Sequence, residues 1–247
     1  MRKVVFASLQ IPLWLGFVLL IVACYLLGGI PFSLIVGKVF FRKDLREIGS
    51  GNLGTTNAIR GLGWPAGIAV LILDGLKGVG AIYLARLCFP QGCSPAYYDT
   101  LDRIVRPAYQ AGAYPASVAH WALVASAVAV IVGHAFSPYI GLKGGKAMAA
   151  TGGIVIAMLP KLLPILVPVF LILVIVTRYV SVASLTIAVL LPITMAIFYP
   201  YLPFIIFSVA AMLFVIWLHR SNIARLHAGT ENKLFGTKKP NDEANGG

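Results

Sequence analysis

Long apolar stretches separated by short polar blocks recur along the whole chain. Seven of them are close to or longer than the roughly 20 residues that a helix needs to cross a bilayer, although two of the seven are shorter. Few charged residues interrupt them, so each stretch is a candidate membrane helix. We therefore predict an all-α fold, a polytopic transmembrane helical bundle with seven spans, which cover residues 11–36, 62–89, 116–135, 147–159, 162–177, 180–199 and 202–218.

The fourth and fifth candidates are shorter than a perpendicular span requires. Pro160, Pro164 and Pro168 interrupt this part of the chain, and one continuous span over 147–177 is the alternative. Charge favours seven spans. If the first loop is cytoplasmic, seven spans put thirteen of the twenty Lys and Arg residues on the cytoplasmic side, whereas six would send the basic tail outside.

Composition agrees with a membrane protein, since 59% of the residues are hydrophobic and 11% are charged. No linker-like segment divides the chain, so we predict a single membrane-integral domain over 1–247 with a disordered tail from about 236 to 247. The start of the chain resembles a signal peptide, but its apolar run is too long for one, which favours an uncleaved first span. The net charge is +12, and the basic residues lie in short loops. No surface of alternating aromatic and basic residues, as in nucleic-acid-binding proteins, accompanies them. We therefore expect lipid and phosphorylated substrates as partners and no nucleic acid.

The first polar block, residues 49–60, concentrates glycines, hydroxyls, amides and a guanidinium in twelve residues. Glycines let the backbone approach a ligand closely, hydroxyls donate hydrogen bonds, and the planar fork of Arg60 fits phosphate oxygens. The block therefore predicts an anion-binding cradle. A purely structural role in tight turns is the alternative for this block and for the next two.

Two further polar blocks, 133–146 and 219–226, fall on the same side of the predicted bundle as the first. The second contains Lys143 and Lys146 around two glycines, and it lacks the spacing of a nucleotide-binding P-loop. The third contains His219 and Asn222, three residues apart on one helix face. We predict that the three blocks share one site on the cytoplasmic side.

Asp74 and Lys77 lie inside the second predicted span. Charges within a membrane are paired or functional by default. A mutual ion pair that positions the helix and a direct contact with substrate are both open at this point. The four histidines have no partner at metal-ligand spacing, so we expect no metal site and no cofactor.

The motifs GSGNLGTTNAIR, LILDGLKG, GHAFSPYIGLKGGKA, TRYVSVAS and HRSNIARLHAGTENK occur in this order along the chain. In order and spacing they resemble the bacterial integral-membrane glycerol-3-phosphate acyltransferases that use acyl phosphate as donor. The resemblance covers about residues 11–235. It implies seven helices in the bacterial plasma (inner) membrane, an active site on the cytoplasmic side, and lysophosphatidic acid as the product of the first step of phospholipid synthesis.

Carried over by position, the resemblance implies a set of site residues. His219 and Ser50 are the expected catalytic residues. Acyl phosphate and glycerol 3-phosphate are the expected ligands of the substrate-binding residues, which are Asn52, Thr56, Arg60, Lys146, Ser181 and Asn222.

The chain departs from the family pattern at three positions. The family usually has alanine where this chain has Thr55, glycine in place of Ala147 and threonine in place of Ala150. The bulkier Ala147 leads us to expect that the helix beginning there approaches the substrate less closely.

Acyl phosphate is a mixed anhydride with a good leaving group, so its reaction needs positioned anions and a proton acceptor. His219 is one candidate acceptor, and a phosphate oxygen of the substrate is the other. None of the four histidines has the aspartate spacing of the soluble acyltransferases. A transporter of a phosphorylated metabolite is the alternative function, although no internal repeat supports it. A lipid-binding scaffold is a third possibility, which leaves His219 unexplained.

Overall fold

The computed structural model describes residues 11–89 and 116–235. The predicted tail (236–247) and the connection between Pro90 and Pro115 lie outside the described residues. In the described ranges all regular structure is helical, as predicted. We number the α-helices in chain order: α1 Leu13–Gly29, α2 Phe32–Phe41, α3 Thr55–Leu62, α4 Trp64–Cys88, α5 Ala116–Ala135, α6 Met148–Met158, α7 Leu163–Thr177, α8 Val180–Phe198, α9 Leu202–Leu218 and α10 Arg220–His227.

Five stretches of the described chain are long and apolar enough to cross a membrane. A sixth passes the same test if α9 and α10 are counted together, although the chain bends by 56° between them. The predicted count of seven therefore stays a prediction. The five stretches are Leu13–Phe41, Trp64–Cys88, Ser117–Ile140, Pro160–Thr177 and Val180–Phe198.

The fourth predicted span corresponds to α6, which has only 11 residues. At 1.5 Å per residue it is about 16 Å long, roughly half of the hydrocarbon thickness of a bilayer. A 3₁₀ turn over Pro160–Leu162 separates it from α7. Because Pro160 cannot donate a helical hydrogen bond, α6 and α7 are separate helices and the alternative of one continuous span is wrong.

Small residues allow the helices of the bundle to pack closely. A Cβ atom on Gly28 of α1 would lie 2.2 Å from the carbonyl oxygen of Val130 in α5, and one on Gly133 would lie 2.1 Å from that of Tyr25. The same holds between α4 and α6, where a Cβ on Gly78 would lie 2.1 Å from the Ala150 oxygen. These contacts follow the small-residue packing of membrane helices, and they fix α6 against α4.

Of the two roles left open for Asp74 and Lys77, the structure contains the mutual ion pair inside α4. The Lys77 Nζ atom lies 2.7 Å from Asp74 Oδ1, and the two side chains are each 2% exposed. Their spacing of three residues puts both groups on one face of the helix. That face points toward α1 and α5, so the charges are buried inside the bundle.

Candidate functional site

The first polar block is organised by Asn57, which the sequence did not single out. Its Oδ1 atom accepts a hydrogen bond from the Ser50 backbone N–H at 3.0 Å, and its Nδ2 atom donates to the carbonyl oxygens of Leu45 and Ile48, each at 3.0 Å. Gly49 has a φ of +59°, and a Cβ there would lie 2.5 Å from Asn57 Oδ1. The loop therefore needs glycine at 49 for its own fold, whatever it binds.

Three predicted site residues on this block are free to meet a ligand. Ser50 is exposed, and Asn52 and Thr56 are partly exposed. Within residues 11–89 and 116–235 the structure gives their side chains no hydrogen-bond partner. The Thr55 Oγ1 atom is buried and also lacks a partner among the described groups. The structure offers no account of why this chain has a hydroxyl at Thr55.

The second block packs against the end of α5. The Gly145 backbone N–H donates to the His134 carbonyl oxygen at 3.1 Å. A Cβ on Gly144 would lie 2.0 Å from that oxygen, and one on Gly145 would lie 2.3 Å from His134 Nε2 and 2.8 Å from the Leu53 carbonyl oxygen. Both glycines are thus required by packing, and Gly145 brings the second block against the first.

Lys146 follows these glycines, and Ala147 connects it to α6. Ala147 is fully buried and has a φ of +57°, in the left-handed region where glycine is favoured. This conformation is a physical reason for the glycine that the resemblance implies at this position. The Lys146 Nζ atom donates to Asn222 Oδ1 in the third block.

The third block lies where the chain bends between α9 and α10. His219 is 3% exposed, and its Nδ1 atom lies 2.8 Å from the Val215 carbonyl oxygen. A carbonyl oxygen can only accept, so Nδ1 carries the proton and Nε2 is left as an acceptor. Burial lowers the pKa of His219 to about 4, so that the ring is neutral near pH 7.

Glu231, after α10, joins the third block to two other elements and was not among the predicted site residues. Its Oε1 atom accepts from Asn222 Nδ2 at 2.7 Å and from Ser181 Oγ at 3.0 Å. Its Oε2 atom accepts from Arg225 Nε at 2.7 Å. Burial raises the pKa of Glu231, but the hydrogen bonds outweigh burial and hold that pKa below its usual value. The only sequence signal that could have pointed to Glu231 was its position as one acidic residue in a strongly basic region.

The segment 229–235, which we call the tail strap, also contacts the first block. The Arg60 Nη2 atom donates to the carbonyl oxygens of Asn232 at 2.8 Å and Lys233 at 3.2 Å. The Leu234 backbone N–H donates to the Arg178 carbonyl oxygen at 2.8 Å, between α7 and α8. The tail strap thus connects Arg60 with the turn that precedes Ser181.

Four of the eight predicted site residues therefore converge. Arg60, Lys146, Ser181 and Asn222 meet around Glu231 and the tail strap, and His219 is one helical turn before Asn222. Desolvation lowers the pKa of Lys146 to about 8, and the positive charges of Arg225 and Arg60 add to that effect. The remaining three residues, which are Ser50, Asn52 and Thr56, lie on the loop and first helical turn that precede Arg60.

Comparison with known proteins gives the same family throughout. The family model of the glycerol-3-phosphate acyltransferases matches residues 18–229. The chain is 36% identical to the glycerol-3-phosphate acyltransferase of Enterococcus faecalis, over 90% of this chain and 94% of that protein. It is 37% identical to the enzyme of that name from Desulforamulus reducens, over 90% of this chain and 96% of the relative.

Solved structures agree. The fold matches the crystal structure of PlsY, an integral membrane glycerol 3-phosphate acyltransferase, in its glycerol 3-phosphate form, with a TM-score of 0.73 and 30% identity over 90% of this chain and 96% of that one. The lysophosphatidic acid form of PlsY matches with a TM-score of 0.71 and 28% identity over the same shares. Both the sequence and the fold thus lead to one conclusion: the chain belongs to the glycerol-3-phosphate acyltransferase family of integral membrane enzymes of phospholipid synthesis.

Proposed function

We propose that the protein transfers an acyl group from acyl phosphate to the sn-1 hydroxyl of glycerol 3-phosphate, which gives lysophosphatidic acid and inorganic phosphate. Family membership supports an acyltransferase over a transporter. The forms in which the related PlsY was solved, with glycerol 3-phosphate and with lysophosphatidic acid, support these as substrate and product. The motifs that resemble the enzymes using acyl phosphate support the donor.

One observation carries the proposal from the geometry. The cations of Arg60 and Lys146, which are 86 residues apart in the sequence, are both tied to the same region by contacts with Asn232 and Asn222. Each of the two proposed substrates carries a phosphate group, and the two cations offer one positively charged partner for each of them. An Arg fork and a Lys point charge in a partly desolvated site bind phosphate more strongly than in water.

The reaction needs few groups from the protein. The hydroxyl oxygen attacks the acyl carbonyl carbon and forms the new ester bond, while the bond between that carbon and the phosphate oxygen breaks. Ser50 and nearby backbone N–H groups would stabilise the negative charge on the carbonyl oxygen. Asn52 in the same loop and Thr56 in the first turn of α3, whose side chains are free, would hold the substrates in place.

The hydroxyl proton has two possible acceptors. His219 Nε2 has a lone pair available, because Nδ1 carries the proton and bonds to Val215. A phosphate oxygen of the substrate is the second. The low pKa of His219 favours the phosphate, since a neutral imidazole with a pKa of about 4 is a weak base. His219 then orients the hydroxyl through a hydrogen bond.

An assay on the purified protein in detergent or lipid tests the proposal. Acyl phosphate and glycerol 3-phosphate should yield equal amounts of lysophosphatidic acid and phosphate, and the reaction should proceed in EDTA. Acyl-CoA in place of acyl phosphate should give no product. A requirement for acyl-CoA would refute the proposed donor. The variant Lys146→Met should lose activity, and Lys143→Met, at an exposed lysine of the same loop, is the matched control.

We also propose that this site lies on the cytoplasmic side of the bacterial inner membrane. The excess of Lys and Arg in the loops of the three blocks supports it. Single cysteines at Lys43, Lys143 and Lys233 should all be protected from an impermeant thiol reagent in intact cells and all react after lysis. Labelling of any one of them in intact cells would contradict a shared cytoplasmic side.

A further inference from the structure

A second cluster of ionisable side chains lies below the proposed site, inside the bundle. In addition to the ion pair of Asp74 and Lys77, the His134 Nδ1 atom of α5 lies 3.4 Å from Lys77 Nζ and 3.8 Å from Asp74 Oδ1. All three residues are buried, and His134 is the most exposed of them at 7%. No step of the proposed reaction uses them. Because charges are costly to bury in a membrane protein, the cluster calls for a function.

The cluster holds the break between α1 and α2. The Lys77 Nζ atom donates to the Gly28 carbonyl oxygen at 3.2 Å, at the end of α1. Next to it, Ser137 Oγ donates to the Gly29 carbonyl oxygen at 2.6 Å. Lys77 also lies over the Phe32 ring, 5.1 Å from its centroid, at the start of α2. The Lys77 ammonium group therefore contacts α1, α2 and α5 in addition to Asp74 on its own helix.

The cluster also reaches the loop that carries Lys146. His134 contacts Gly145 twice: its carbonyl oxygen accepts from the Gly145 N–H, and its ring packs against the Gly145 Cα. The Leu53 carbonyl oxygen of the first block also packs against Gly145. Asp74, Lys77, His134 and Gly145 line one narrow cavity with Leu53. The ring of His134 thus stands between the buried ammonium and the loop that precedes Lys146.

We propose that Asp74, Lys77 and His134 are positioning residues that set the place of Lys146 relative to the first polar block. Lys77 orients the His134 ring through Nδ1, and the ring packs against Gly145 on the side that faces the interior of the bundle. Lys146 follows directly on Gly145, so a change in the support moves its ammonium. This inference rests on the proposed function, in which Lys146 binds a substrate phosphate.

The kinetic consequence is specific. A positioning residue for a binding group acts on substrate affinity, so its loss raises KM while kcat changes little. A residue needed only for folding would lower the yield of folded protein and leave KM unchanged in the protein that folds. The two roles are therefore distinguishable in the same preparation.

The central variant is Lys77→Met, which keeps the length of the side chain and removes its donors. We expect monodisperse protein with a KM for glycerol 3-phosphate raised about tenfold or more and a kcat within about threefold of wild type. Lys77→Arg, which keeps the charge, should restore most of the affinity. The matched control is Ser126→Ala on α5, a fully buried polar residue whose hydroxyl bonds, among the described residues, only to Leu123 of its own helix.

His134→Asn keeps the proposal testable if Lys77→Met does not fold. It retains the backbone carbonyl that holds Gly145 and removes the ring, so KM should rise in the same way. A normal KM in the folded fraction of His134→Asn, or of Lys77→Met where it folds, would overturn the proposal.

A structural measurement separates this inference from the proposed role of Lys146. Spin labels on cysteines replacing Glu47 and Lys143, both exposed, report the distance between the two loops in a background without native cysteines. Lys77→Met should broaden that distance distribution, and an unchanged distribution would overturn the proposal. If Lys146→Met binds glycerol 3-phosphate normally, the proposed role of Lys146 fails, whatever the spin labels show.

Discussion

Asn222 Nδ2 donates to Glu231 Oε1 over 2.7 Å, and this bond closes the tail strap onto α10. Through the same carboxylate, Ser181 on α8 and Arg225 on α10 are joined to one point. Two residues predicted as substrate ligands, Ser181 and Asn222, thus also hold the site together. If they bind substrate as proposed, their substitution should affect affinity as well as structure.

Glu231→Gln should therefore destabilise the folded protein. Hydrogen bonds to charged groups are worth about 1.5–3 kcal/mol, and the change removes the charge that Arg225 pairs with. Thermal unfolding in detergent should show a lower Tm than wild type, and Glu47→Gln, at an exposed glutamate, should show none of this loss. The hydrogen bonds of Glu231 hold its pKa below the usual value. The ionised carboxylate therefore contributes fully to stability at any pH above that usual pKa. This contribution is lost as the pH falls through the lowered pKa. The difference in Tm between wild type and Glu231→Gln should therefore disappear in acid.

Arg60→Lys should raise the KM of a phosphorylated substrate about tenfold, which corresponds to about 1.4 kcal/mol. The guanidinium donates to both Asn232 and Lys233 and still has further N–H groups to offer a phosphate, whereas an ammonium cannot cover both tasks. Steady-state kinetics with each substrate in turn measures the effect. Arg42→Lys, at an exposed loop position, is the control. Wild-type kcat/KM in Arg60→Lys would mean that Arg60 binds no phosphate.

Activity at low glycerol 3-phosphate should fall as the pH rises above about 8. Burial and nearby positive charges lower the pKa of Lys146 to about 8, so its ammonium is present below that pH and is lost above it. The KM should rise along that alkaline limb while kcat stays nearly level. Lys146→Arg should remove the limb, because arginine keeps its charge, and Lys143→Arg should not. An alkaline limb unaffected by Lys146→Arg would assign it to another group.

Ala147→Gly should change stability by less than about 1 kcal/mol, although Ala147 is fully buried. Relief of the left-handed conformation gains about 1–2 kcal/mol. The lost methyl burial and the added chain entropy cost about as much. Ala150→Gly, equally buried but within α6, has no strain to relieve and should cost about 2 kcal/mol. Equal losses in the two variants, measured by thermal or denaturant unfolding, would contradict the strain at Ala147.

His219→Ala should raise the KM for glycerol 3-phosphate, and His219→Asn should keep substantial kcat. The neutral ring, whose pKa burial lowers to about 4, can accept a hydrogen bond from the hydroxyl at Nε2 but is a weak base. Loss of a general base lowers kcat by about 10²–10⁴. A fall in kcat of more than about 100-fold at unchanged KM would therefore identify His219 as the proton acceptor. The pH dependence of kcat should also show no titration near 6.5.

The sequence by itself determined the class of protein and most of the candidate residues. Long uncharged runs can only be stable as helices in a bilayer, so the helical bundle followed from hydrophobicity alone. Helical spacing put Asp74 and Lys77 on one face of a helix, which made their ion pair one of the two roles that the sequence left open. The polar blocks were visible because glycines, hydroxyls and cations stand out against an apolar chain.

Tertiary structure decided what those residues touch. Glu231 and Asn57 matter through partners that are up to 50 residues away or in an irregular loop, and no local pattern marks such partners. By sequence alone the glycines of the second block fit a binding loop or a tight turn, whereas the packing of His134 behind them explains their size. The short length of α6 could not be predicted from composition, because an apolar helix packed between others and one facing lipid have the same residues. Hydrophobicity sets which segments leave water, but only the packing of distant segments sets which of their side chains meet.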